Sequence, residues 1–451
     1  MITLQERVHG VAPPAAWNLA KLHRILRVRK GMKNIGMQEK NLLSLSYGRI
    51  IRKNIDSAEG LLPESFETYQ IVEPGNIVMR LTDLQNDKRS LRQGLVNERG
   101  IITSAYDALE LVENHDPRFW AYFLLALDLT KYYYSLGAGV RQSIKFSDFP
   151  NDWLAVPDII TQNTIADFLD RETARIDRLI EKKKQLLDVL VDARSTTISA
   201  AVTVGIDPNA ELISTTSVYL PTVPSGWTVW RLKHLAQVNG GLTLGRTVKP
   251  GSPVTPTPYL RVANVQAGWL DLSDVAEIDA TESEIKRYSL RDGDVLMNEG
   301  GDNDKLGRGA VWRAAFSPCL NQNHVFAVRP HNLGYSDWIS LATNARYARD
   351  FFFLHSNQST NLASISKTNL QKFPVAIPPM EVMQDILSRV SLRIERITII
   401  SAKIQASIER LRDQRTAIIT AAVTGQIDVT AWPMRGQTDR QLDDLQKAMR
   451  A

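Results

Sequence analysis

The 451 residues are 43% hydrophobic, with a mean hydropathy of −0.20 and a net charge of +5. That profile suits a folded, soluble chain long enough for two or three domains. A single cysteine, Cys319, excludes an intramolecular disulfide and a cysteine-bound metal cluster. The longest apolar run, WAYFLLAL at 120–127, is too short to span a bilayer, and the charged start MITLQERVHG does not read as an export signal. No membrane attachment and a cytoplasmic location are therefore expected.

In chain order, residues 1–157 read as a first mixed α/β unit with net charge +3. Within it, residues 21–53 carry ten Lys/Arg against one acid, Glu39. Such a block is either a solvated face or a footprint for a polyanion, and Arg29, Lys30, Lys33, Arg52 and Lys53 are its candidate contacts. EPGNIVMR (73–80) reads as a turn feeding a strand. The polar loop RLTDLQNDKRSLRQG (80–94) follows with Arg80, Asn86, Lys88 and Arg89, and GAGVRQ (137–142) adds Arg141 and Gln142. Residues 158–204 then turn helical, with Leu169, Ile176, Leu190 and Thr197 in one heptad position. Ile165, Leu179, Leu186, Ala193 and Ala200 fill the other, and Glu172 and Lys183 interrupt the seam. Residues 205–220 are expected to be a linker.

Residues 221–377, also +3, read as a second unit of short β-runs: YLRVANV (259–265), RDGDVLM (291–297), GAVWRA (309–314) and FPVAIP (373–378). Polar loops separate them. Arg246 stands early; NEGGDNDKLGRG (298–309) supplies Asn298, Asn303, Lys305 and Arg308. NQNH (321–324) supplies Asn321 and Asn323, and HSNQSTN (355–361) supplies Asn357, Gln358 and Asn361. Asn and Gln pair bidentately with adenine, and Arg or Lys with guanine, in the major groove of DNA. Taken singly these are ordinary polar loops; their clustering in both units is what points to base reading. A second helix is expected over 378–428, with Val390, Ile397, Ile404, Leu411 and Ile418 seven apart and Ile386, Ile400 and Ala421 between them. The polar tail 429–451 is either loose or meets residues 1–12.

The chain repeats itself at an offset of 221. Residues 198–207 (ISAAVTVGID) match 419–428 (ITAAVTGQID) at seven of ten positions, and 154–207 align with 375–428 without a gap, with sixteen identities that include Arg194/Arg415. PPAAW (13–17) and PSGWT (224–228) echo one another at the start of each unit, giving Pro14/Pro224 and Trp17/Trp227, then Leu22/Leu232. Proline precedes each helix (Pro157; Pro378-Pro379), and Gly205 or Gly425 stands beyond its end as a stop signal. Each helix would run about 46 residues, roughly 70 Å at 1.5 Å per residue. A seam that long needs a partner, and the other copy, antiparallel under a pseudo-two-fold, is the nearest one. The expected fold class is thus α+β: two mixed α/β recognition domains joined by two long helices packed as an antiparallel coiled coil.

No phosphate-binding G-x-x-x-x-G-K-[ST], dinucleotide G-x-G-x-x-G or methyltransferase-type Asn/Asp-Pro-Pro-aromatic sequence occurs. Glu284-Ile285-Lys286 with Asp271 or Asp274 could mimic part of a nuclease metal site. The seven histidines show no ligand spacing. No catalytic constellation and no metal site are expected in this chain.

The alternation of domain and long helix, the helix-end phrases AAVTVGID and AAVTGQID, the Pro-x-x-Trp lead-in to each domain, and YLRVANVQAGWL followed by YSLRDGDVLM together resemble the specificity subunits of Type I restriction-modification systems. The first domain departs from that framework with PGN where Gly-Asp is usual. The resemblance implies a non-catalytic subunit in which each domain reads one half of a bipartite double-stranded DNA site and the helices fix the gap. It implies two modification (methyltransferase) subunits and two motor-nuclease restriction subunits as partners, with S-adenosylmethionine, ATP and Mg bound by those partners and no cofactor in this chain. Ala200, Ala201 and Thr203, with Ala421, Ala422 and Thr424, would permit close backbone approach where a modification subunit or the opposing domain docks; a self-contained helix terminus is the alternative. A self-sufficient nuclease or methyltransferase is the rival reading of the whole chain.

Overall fold

The computed structural model describes residues 2–55, 65–84, 87, 90–112, 114–136, 143–149, 151–301, 305–358 and 363–430. They divide into two compact units: Met1–Lys183 with Gln405–Ala451, and Lys184–Ile404. Both long helices pass from one unit to the other.

In the first unit the helix Leu4–His9 opens with a capping box between Thr3 and Glu6. Its buried Gln5 exchanges hydrogen bonds with the backbone of Ala155 (2.8 and 3.2 Å), pinning the helix to the strand Trp153–Val156. That strand pairs antiparallel with Asn18–Lys21. The central sheet runs in the order Leu26–Val28, Asp107–Leu111, Ile77–Met79, Gln93–Leu95, all neighbours antiparallel. The helix Pro117–Leu129, started by Asp116 as N-cap and Pro117 at its first position, buries Phe119, Trp120, Phe123, Leu124 and Leu127.

The second unit repeats this plan. Thr228–Arg231 pairs with Pro374–Ile377, and the central sheet runs Ala236–Asn239, Val325–Pro330, Val295–Asn298, Gly309–Val311. The helix Ser336–Thr343 takes the place of Pro117–Leu129. The two turns expected from EPGN and RDGD also correspond: Gly75 and Gly293 both have positive φ (89° and 85°). Asp294, 1% exposed, accepts from the Arg291 amide and from Arg329 (2.8 and 2.7 Å). Asn76 accepts from the Glu73 amide and from Arg29. The amide of PGN therefore does neutrally what the carboxylate of RDGD does with a charge.

Two expectations need correction. YLRVANV is not one strand: Thr255–Leu260 ends before a 3₁₀ turn, Val262–Asn264, whose buried Asn264 bonds the carbonyls of Asp271 and Asp274 (2.8 Å each). The expected linker holds a strand of its own, Leu212–Ser214, paired with Thr222–Pro224.

The long helices are Ile159–Thr203 and Met380–Val423, 45 and 44 residues. In each unit the start of one helix packs with the end of the other, so they run antiparallel. Asp177 meets Arg415 in the first unit (3.0 Å). Ile198, Ala201 and Val202 share a core with Met383, Ile386 and Val390 in the second. Val390, Ile397, Ile404, Leu411 and Ile418 are all buried. Ile400, placed in the seam by the heptad reading, is 45% exposed, whereas Ile408 is 1% exposed. Around Ile404 the seam is therefore completed by Ile408, four residues on, and not by Ile400, whereas Ile386 is buried as the heptad reading has it. In the first helix the interruption at Glu172 is resolved by pairing: the buried carboxylate binds Arg175 (2.7 Å) and Arg171 (3.2 Å).

Candidate nucleic-acid interface

Three polar segments of the second unit meet in space. Gly300–Gly301, Ala363–Ser364 and Asn357–Gln358 form a small antiparallel sheet that welds NEGGDNDKLGRG to HSNQSTN. Glu299 ties in NQNH: its amide donates to His324 O (2.9 Å), its carbonyl accepts from the Ile365 amide (2.8 Å), and its Oε2 lies 3.0 Å from His324 Nδ1. In the sequence Glu299 is one acid among amides, with no period or spacing to mark it.

Lys305, Asn357 and Gln358 are exposed, and Arg308 and Asn323 are half-buried. Asn303 and Asn361 lie outside the described residues. Asn298 and Asn321 do not present base-reading edges. Both are 1% exposed and bond inward, Asn298 Nδ2 to Val265 O (3.2 Å) and Asn321 Nδ2 to Val325 O (2.6 Å). Arg246 is likewise engaged, gripping Glu284 bidentately (2.5 and 2.9 Å) and Asp279 O (2.7 Å). That grip, with the Thr281 cap, holds the Glu284 carboxyl down at about 2. The Glu-Ile-Lys triad is thus spent on structure, since Asp274 pairs with Arg261 and Asp271 caps Ser273. Among the described residues no group of His, Cys, Asp or Glu could hold a metal ion.

In the first unit the segment Tyr132–Ser135 is tied to the described part of RLTDLQNDKRSLRQG, while GAGVRQ lies outside the described residues. Buried Arg92 donates to Thr82 O, Asp87 O and Tyr134 Oη, and Tyr134 Oη donates to Asp87 O. The end of the helix before GAGVRQ is thereby fastened to RLTDLQND. Arg80 is half-buried, near Asp87. Asn86, Lys88, Arg89, Arg141 and Gln142 lie outside the described residues. The basic block is less free than its composition suggests. Arg27 pairs with Glu110, Arg49 with Asp177 and Arg52 with Glu98, while Arg29 supports Asn76 and Ile71 O. Lys30, Lys33 and Lys53 are exposed.

The helix-end phrases sit against the lead-in tryptophans. A Cβ on Gly205 would come 3.3 Å from Trp227, and one on Gly425 3.0 Å from Trp17 and 2.4 Å from Pro14. Ala201, Ala422 and Thr424 are buried; Ala200, Thr203 and Ala421 are half-buried. Among the described residues no helix is long and apolar enough to cross a membrane.

Residues 224–410 match the family model described as the Type I restriction modification DNA specificity domain. The chain is 22% identical over 296 residues to the Type I restriction enzyme EcoKI specificity subunit of Escherichia coli K12, covering 65% of this chain and 62% of that one. It is 21% identical over 433 residues to the StySPI specificity subunit of Salmonella potsdam, covering 92% and 90%. It therefore spans under two thirds of the first relative and most of the second. A solved chain described in terms of complex assembly and conformational transition of the type I R-M system shares the fold, with a TM-score of 0.67 at 14% identity, covering 92% of this chain and 100% of that one. Each unit, then, is a mixed α/β domain packed with the start of one long helix and the end of the other. Residues 224–410 thus match a Type I restriction modification DNA specificity domain, and the chain is similar to specificity subunits of Type I restriction-modification systems.

Proposed function

We propose that this chain is a cytoplasmic, non-catalytic DNA-recognition subunit whose two domains each read one half of a bipartite double-stranded site. One observation carries the reading: two amide-rich segments far apart in sequence meet in one small sheet, Gly300–Gly301 with Asn357–Gln358 and Ala363–Ser364, and Glu299 ties a third, NQNH, to it. A rigid spacer turns two modest half-site affinities into one bipartite requirement. The long helices are that spacer and the seat of two modification subunits, which bring S-adenosylmethionine; two restriction subunits add ATP- and Mg-dependent cleavage. Lys30, Lys33 and Lys53 add phosphate contacts, which position without specifying.

Mapping methylated adenines in a host genome with and without the gene tests this directly. The expected result is one bipartite motif that disappears with the gene; an unchanged methylation map overturns the reading. Arg308→Ala should relax one half of that motif, a loss of about 1–3 kcal/mol if Arg308 reads a base, and spare the other. Turnover of DNA by the purified chain with Mg or S-adenosylmethionine alone would establish the rival enzyme.

A further inference from the structure

The loop 298–309 is held across its base by a hairpin within YLRVANVQAGWL. Residues Val265 and Leu270 bridge, Gln266 N–H donates to Trp269 O (3.0 Å), and Gly268 turns the corner with φ 86°. This hairpin grips both ends of the loop. Val265 O accepts from Asn298 Nδ2 at one end (3.2 Å); Gly268 N–H donates to Gly309 O at the other (3.0 Å). Gln266 Oε1 accepts from Arg308 Nη1 (3.4 Å). Gly309 O also accepts from Asn344 Nδ2 (2.9 Å) and Ser340 Oγ (3.2 Å), so the far end of the loop is fixed on the helix Ser336–Thr343.

One spacer-helix side chain holds the hairpin. Arg194, on Ile159–Thr203, donates from Nη2 to Ala267 O at the hairpin tip (2.8 Å). It lines a cleft of about 530 Å³ with Gly268, Asn344 and Glu395. Burial, and secondarily the charge of Arg349, hold its guanidinium below the ordinary value. A half-buried cation bonded to a carbonyl is a costly way to fill space. Yet arginine stands at both copies of this position, and Arg415 does the matching task with different chemistry. Its Nε donates to Asp177 Oδ1 (3.0 Å), and Asp177 Oδ2 accepts from Arg49 (2.9 Å) on the hairpin strand Arg49–Arg52.

We propose that Arg194 is a positioning residue for DNA reading: it sets the hairpin 265–270, and through it the loop carrying Arg308, relative to the spacer helix. Arg415 is its counterpart for the first domain. The inference rests on the reading above, that these loops contact bases.

The test uses the full chain assembled with its modification subunits, with methylation motifs mapped for wild type, Arg194→Met, Arg194→Lys and Arg415→Met. The wild-type motif checks the function itself; without a bipartite motif, that reading fails independently of the variants. Arg194→Met should relax base preference in one half-site at least tenfold and leave the other unchanged. Arg194→Lys, which still donates to Ala267 O, should recover most of it. Arg415→Met should relax the opposite half. Unaltered preference in Arg194→Met overturns the proposal, as does equal loss at both halves. If Arg194→Met misfolds, Gln266→Ala, which removes the Arg308 support together with the bond from Gln266 Nε2 to Ala263 O (2.7 Å), must relax the same half-site; unaltered preference there is equally fatal.

Discussion

Asp128 shows how much one side chain can add to the titration of the first domain. Burial raises its carboxyl to about 6, although Oδ2 accepts the Arg92 amide at 2.7 Å; Oδ1 has no partner. A folded-state value above the unfolded one means the native protein binds the extra proton between pH ~4 and ~6, so stability falls as pH rises through that window and stays lower above it. Asp128→Asn should therefore raise stability at pH 7–8 by up to about 2 kcal/mol and have little effect at pH 4. Thermal melts at the two pH values decide it; equal shifts at both would refute the assignment. The acids that neutralise the basic block show the reverse problem. Glu110, Asp177 and Glu98 lie far from 21–53 in sequence, so no local count could foresee that they neutralise Arg27, Arg49 and Arg52.

At the scale of the element, the helices and their stops were legible because periodicity, proline and glycine act locally. The seam register was not, since positions three and four residues beyond Ile397 both carry small or apolar side chains and only the facing surface selects between them. Ile404→Ala, at 8% exposure, should cost about 2–5 kcal/mol. Ile400→Ala should stay within about 0.5 kcal/mol. Denaturant melts of both variants give the comparison, and equal losses would restore the heptad first read. The helix stops differ in a checkable way too. Gly205 and Gly425 share positive φ (76° and 72°), so alanine costs about 1–2 kcal/mol at either from the backbone alone. Only at Gly425 does the added Cβ also press on Pro14 at 2.4 Å. Gly425→Ala should lower the melting temperature more than Gly205→Ala.

For the whole molecule, the proposed reading makes binding an electrostatic and a geometric quantity at once. The log–log slope of affinity against salt should be about −0.9 per phosphate neutralised. Replacing Lys30, Lys33 and Lys53 together by Gln should flatten it by about 2–3 without changing which bases are preferred. A slope unaffected by the triple change would remove the lysines from the interface. Inserting one heptad into 175–190 should alter the gap between half-sites while sparing both halves; an unchanged gap would mean the helices are no ruler.

The duplication, the two long helices, the two turns at Gly75 and Gly293 and the class of loop were determined by the sequence alone, because each is a matter of spacing along the chain. Which loop residues face outward was decided only by tertiary structure. Asn298 and Asn321 look in sequence like Asn357, yet the first two meet the carbonyls of Val265 and Val325 and sink out of reach. The use of the repeated arginines was decided in the same way: Arg194 meets a carbonyl 73 residues away, and Arg415 a carboxylate 238 residues away. A polar side chain has no periodicity to declare its partner. Its role is fixed by what the rest of the fold brings within about 3 Å.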